Sequence, residues 1–114
     1  MKILIGLLVA ASAITAAYAQ EGDKWFQGGT LHKSSLAAWK TATYENRLAT
    51  TGDYVAMIIG SPKSYEEMDH VKVVAIQLEA CITQTASSVS DAIANRQSAS
   101  DSAIACATMM GFRR

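Results

Sequence analysis

From Ser64 to Ser87 the apolar residues keep helical time. Met68, Val71, Ala75, Leu78 and Ile82 recur at alternating intervals of three and four, so they fall on one stripe of an α-helix. This is the longest such segment in the chain, and whatever else folds has to cover its stripe. Its start is marked, because Ser64 and Glu67 have the spacing of a capping box, and Glu66 and Asp69 place negative charge where the helix dipole favours it. Cys81 lies beside the stripe. The only other cysteine, Cys106, falls in a second apolar segment, and a bond between the two clamps a helical hairpin closed.

The first nineteen residues read as a cleavable signal peptide. Met1 and Lys2 form a short positive region, Ile3 to Ala10 an apolar one, and Ala17-Tyr18-Ala19 a small-x-small cleavage site before Gln20, the three parts of a secretory signal. Ser12, Thr15 and several alanines dilute the segment and no basic stop-transfer cluster follows, which argues against a lasting anchor. The expected location is the periplasm or the exterior, without stable membrane insertion after cleavage.

Removing that segment leaves 95 residues with nine basic and ten acidic side chains, enough for one domain with one modest core. A net charge of about −1 gives no electrostatic reason to seek nucleic acid. In an oxidising compartment a lone cysteine pair is read as a disulfide rather than a metal site or a nucleophile. Closing the Cys81–Cys106 loop is worth roughly 3–4 kcal/mol in the chain-entropy model.

Three segments follow: the signal peptide 1–19, a polar leader 20–33 and a helical domain 34–114. The leader carries Gly22, Gly28 and Gly29, which argue against a helix, and Trp25-Phe26, read as a lid folding back over the core. Thr30-Leu31-His32 suits a short extended piece with no evident partner strand. Ser34 or Ser35 caps a first helix through Trp39, with a break near Thr43; a second runs from about Tyr44 to Ile59 and ends at Gly60-Ser61-Pro62. Gly52 in its middle either splits it or admits close packing. After the central helix come a short helical piece around Val89 to Asn95 and a last helix, capped by Ser100, to about Met110 with Gly111 at its C-cap. The class is all-α: a small bundle of about four main helices with one disulfide.

Few constellations in this chain carry chemistry. Glu66 and His70 stand one helical turn apart and present at most two metal ligands, short of a closed site. Cys81 and Cys106 lie among alanines, isoleucines and methionines, without the base and positive setting of a reactive thiol. No phosphate loop, nucleophile elbow or zinc-protease helix is present. The expectation is a non-enzyme without a cofactor. Met57, Met68, Met109 and Met110 are read mainly as core filler. If packing leaves the C-terminal end bare, Met109, Met110 and Phe112, together with Trp25 and Phe26, form the candidate contact patch.

Thr30-Leu31-His32 through Trp39, then Asn46-Arg47-Leu48-Ala49-Thr50 and Asp53-Tyr54, resembles a pattern of short, uncharacterised exported proteins of proteobacteria. That resemblance implies export and a polar link between Arg47 and Asp53. The layout alone is similar to the HdeA-type acid-stress chaperones of the periplasm, although the cysteines here are closer together and both fall in the C-terminal half. Together these readings point to a periplasmic or secreted helical module that binds an unknown protein partner or stabilises the envelope, its oligomeric state left open. The alternatives are an HdeA-like acid-stress chaperone and a metal-binding module using His70 and Glu66.

Overall fold

The computed structural model describes residues 24–112; the signal segment 1–19 and the first four leader residues lie outside them. Among the described residues five helices follow one another: α1 Leu36–Thr41, α2 Tyr44–Ile59, α3 Tyr65–Ser88, α4 Asp91–Arg96 and α5 Ala99–Met110. All five begin by the same local device. Ser35, Thr43, Ser64, Ser90 and Ser98 hold extended backbone, and the side-chain oxygen of each accepts the N–H three residues on. Each such cap satisfies a donor that the first turn leaves orphaned, worth about 1 kcal/mol.

α3 is the axis of the fold, packing against α1, α2 and α5, while α4 packs on α1. Its buried face holds Val71, Val74, Ala75, Leu78, Ile82 and Ala86, and also Glu79. The expected stripe is thus widened by Val74 and Glu79. Met68 stands at its edge, only half-buried. Against α3, α5 buries Ala99, Ser102, Ala103, Cys106 and Ala107, a face of small side chains that lets two backbones approach closely. Cys81 and Cys106 are joined there by a disulfide with Cα atoms 6.1 Å apart. Trp39, fully buried from α1, is the largest side chain in the core.

Three details differ from expectation, and one open alternative is decided. Among the described residues there are five helices rather than about four. The cap of α5 is Ser98, not Ser100, because Ser35 and Ser98 form an antiparallel bridge. Leu36 N–H donates to the Gln97 carbonyl and Ala99 N–H to the Ser34 carbonyl, both at 2.9 Å, so the starts of α1 and α5 are clipped side by side. At Ser64 the forward half of the capping box forms, at 3.2 Å to Glu67 N–H. The return arm instead reaches Lys63, whose N–H donates to the Glu67 carboxylate. Gly52 does not split α2, which runs unbroken through it.

The C-terminal end folds back. Gly111 takes a left-handed conformation at φ 80°, and Phe112 N–H reaches the Ala107 carbonyl at 3.0 Å, closing α5 as a Schellman turn. Phe112 is thereby laid against Val55, Ile58, Ile59, Val74 and Leu78.

Candidate functional site

The leader is sewn onto α2 rather than trailing from it. Thr30 N–H donates to Asn46 Oδ1 and Asn46 Nδ2 returns the bond to Thr30 Oγ1, each at 2.9 Å. Leu31 N–H reaches Thr50 Oγ1 at 3.3 Å. His32 Nε2 and Asp53 Oδ2 are 2.8 Å apart, and Tyr54 OH donates to the His32 carbonyl at 3.1 Å. The contact is so close that a Cβ added at Gly29 would lie 2.6 Å from the Thr50 backbone nitrogen, so only glycine fits. Burial first, then the Asp53 charge, hold the Tyr54 phenol above the ordinary tyrosine value of 10.0.

The strap delivers Trp25 and Phe26 to a defined place. Their rings meet edge to face with centroids 5.7 Å apart. A Cβ at Gly52 would stand 2.9 Å from Trp25 Cζ3, so the glycine in the middle of α2 is the seat of the indole. Trp25 is half-buried against the core, in keeping with a lid over α2. Its outer side remains open and forms one wall of a cleft of about 670 Å³ with Phe26, Lys63, Ser64, Tyr65, Met68, Asp69 and Lys72. Tyr65 at its rim is 92 % exposed. Lys72 Nζ sits 5.8 Å from the Trp25 ring centroid, within reach of a cation–π contact. A cleft of this size, walled by aromatic and thioether groups with a few charges, has the composition of a binding site.

A second constellation lies inside. Glu79 Oε1 accepts from Arg47 Nε at 2.9 Å and from Thr83 Oγ1 at 2.8 Å. Thr83 Oγ1 in turn accepts from Trp39 Nε1 at 3.0 Å, and Arg47 Nη1 donates to the Ala42 carbonyl at 2.7 Å. With side-chain exposures of 16 % for Arg47 and 8 % for Glu79, the pair is largely withdrawn from water. It joins α1, the α1–α2 turn, α2 and α3 in one polar chain. Its chemistry is structural: Arg47 Nε and Nη1, Thr83 Oγ1 and Trp39 Nε1 each donate to an acceptor inside the protein.

The residues singled out by sequence divide accordingly. Arg47 and Asp53 are not linked to each other. Arg47 turns inward to Glu79, whereas Asp53 turns to His32 on the strap. The proposed contact patch is not one surface. Trp25 and Phe26 belong to the cleft, Phe112 and Met110 are packed on the core, and Met109 stands 80 % exposed by itself. Met57, expected as core filler, is 78 % exposed. Glu66 and His70 line a smaller cleft of about 350 Å³ with Glu67, Gly60 and Pro62, but the Glu67 carboxylate is engaged by Lys63 N–H. Among the described residues, no three His, Cys, Asp or Glu side chains are grouped as a metal site requires.

Sequence reasoning missed Glu79, Lys72 and Tyr65. Glu79 carried a readable signal, since a carboxylate beside Leu78 on a buried stripe has to find a partner. Among the described residues, no helix is long and apolar enough to cross a membrane. No protein-family model, curated protein or solved structure matches the chain.

Proposed function

We propose that this protein is an exported, non-catalytic helical module that holds a partner protein in the cell envelope, with the cleft between Trp25 and Tyr65 as its contact surface. The observation that carries this reading is Tyr65, an aromatic ring left 92 % in water at the rim of a cleft already walled by Trp25, Phe26 and Met68. Tryptophan and tyrosine held on a rigid scaffold are the side chains from which interface anchors are most often made. The charged groups of the cleft are two lysines and an aspartate, beside the Tyr65 phenol, and among the described residues no hydrogen bond joins any of them as a base does its nucleophile. Export is supported by the signal-like segment Met1–Ala19, by the disulfide and by the resemblance to short exported proteobacterial proteins.

The test is affinity capture from envelope extract at native salt, with wild-type protein and Tyr65→Ser in parallel. The reading expects a partner retained by the wild type and lost from the variant. Equal recovery by both, or no partner together with turnover of a small substrate, contradicts it.

A second reading, an acid-stress chaperone, is supported by two carboxylates on which packing depends. Asp53 holds the strap through His32, and Glu79 holds the buried chain through Arg47. This reading expects hydrophobic-dye binding to rise between neutral pH and about pH 3, with suppressed aggregation of a client protein. A chain that stays compact and dye-silent through the titration excludes it.

A further inference from the structure

Of the five methionines in the chain, Met57, Met68, Met109 and Met110 lie among the described residues, and packing treats them unequally. Met110 is packed against the core, and Met68 is half-buried in the wall of the cleft. Met57 in the last turn of α2 and Met109 in the last turn of α5 stand 78 % and 80 % exposed. Neither of these two is part of the cleft wall. The sharpest contrast is between Met109 and Met110. They are chain neighbours, but each residue turns a helix by about 100°, so one thioether faces water and the other the core. A bare thioether contributes no packing, yet it is the sulfur that two-electron oxidants reach where no thiol is free. Both cysteines of this chain are held in the Cys81–Cys106 disulfide. The sulfur left to oxidise is therefore that of methionine, and oxidant arriving through water meets it first at Met57 and Met109.

We propose that Met57 and Met109 are oxidation sites, at which the protein takes up oxygen from hydrogen peroxide as methionine sulfoxide while keeping its fold. The sulfur lone pair attacks one peroxide oxygen, so that an S–O bond forms as the O–O bond breaks. The departing hydroxide takes the proton of the transferred oxygen and leaves as water. Each thioether is thereby oxidised by two electrons and one peroxide is reduced. The sulfoxide is polar. At Met57 and Met109 it enters water, whereas at Met110 it sets an S–O dipole against the core.

The experiment treats the purified protein with limiting hydrogen peroxide and follows each methionine by tandem mass spectrometry of its peptides, which separates Met109 from Met110. Met57 and Met109 are expected to gain oxygen about tenfold faster than Met68 or Met110, since susceptibility follows exposure. In concentrated urea all four should oxidise at nearly one rate, because only packing tells them apart. The form that carries both sulfoxides should keep the circular-dichroism spectrum and the urea midpoint of the untreated protein. Met57→Leu with Met109→Leu, both at surface positions, should abolish the fast uptake and leave the slow one. Three outcomes overturn the proposal: Met68 or Met110 oxidised as fast as the exposed pair, a rate difference that survives in urea, or a chain that unfolds once Met57 and Met109 carry oxygen.

Discussion

Arg47 and Glu79, thirty-two positions apart, meet through one 2.9 Å hydrogen bond and fix how α2 lies on α3. Because Glu79 also holds Thr83, and Thr83 holds Trp39, the rotation of α3 and the seat of the largest core side chain are set by the same carboxylate. Removing one partner strands a charge that is largely buried. Glu79→Ala is therefore expected to destabilise the fold by about 3 kcal/mol, whereas Arg47→Met combined with Glu79→Met should recover most of that loss, since an apolar pair leaves no orphan. Urea denaturation of the two single variants and the double variant measures the difference.

The two close-packed glycines predict opposite behaviour. At Gly29 a Cβ meets the backbone of Thr50 at 2.6 Å, and backbone cannot step aside. Gly29→Ala should lift the strap, at a cost of about 1–3 kcal/mol, and speed proteolysis between Trp25 and His32. At Gly52 the obstacle is the edge of the Trp25 ring, a side chain that can turn, and alanine in a helix interior regains about 1 kcal/mol. Gly52→Ala should leave thermal stability nearly unchanged while altering Trp25 fluorescence.

Tyr54 gives the account a pH dependence. Folding raises its pKa through burial and then through Asp53, so the folded chain holds this proton more tightly than the unfolded one. The resulting stability is complete below the ordinary value of 10.0 and is lost as pH rises past it toward the folded value. In an ultraviolet titration one tyrosine should ionise after the others, and Tyr54→Phe should remove that late step together with about 1 kcal/mol from the lost bond to the His32 carbonyl.

Ser102 is 3 % exposed, and among the described residues its hydroxyl has no hydrogen-bond partner. Ser102→Ala takes away that desolvation penalty on the small-residue face of α5 and should raise stability by about 1 kcal/mol, seen as a higher urea midpoint at unchanged slope.

What could be read in the sequence was local, and what could not was long-range. The α3 stripe, the caps Ser35 and Ser64, the Gly111 terminus and the cysteine pairing all follow from residues within a few turns of one another or from the count of two cysteines. The Arg47–Asp53 link failed because helix register alone does not say which side of α2 faces α3. Arg47 shares its face with Leu48 and Thr51 toward the interior, while Asp53 lies under the strap. Ser98 and Ser100 are equivalent by composition, and only the bridge to Ser35 separates them. The contact patch was misplaced for a similar reason: the Schellman turn that folds Phe112 inward depends on a groove built by α2 and α3.

Photo-cross-linking in living cells tests the central claim most directly, by installing a benzophenone side chain in place of Tyr65 at the cleft or Gln84 on the exposed side of α3 away from it. The account predicts a discrete protein adduct from position 65 and none from position 84. Adducts of equal yield from both positions, or from neither, would contradict it.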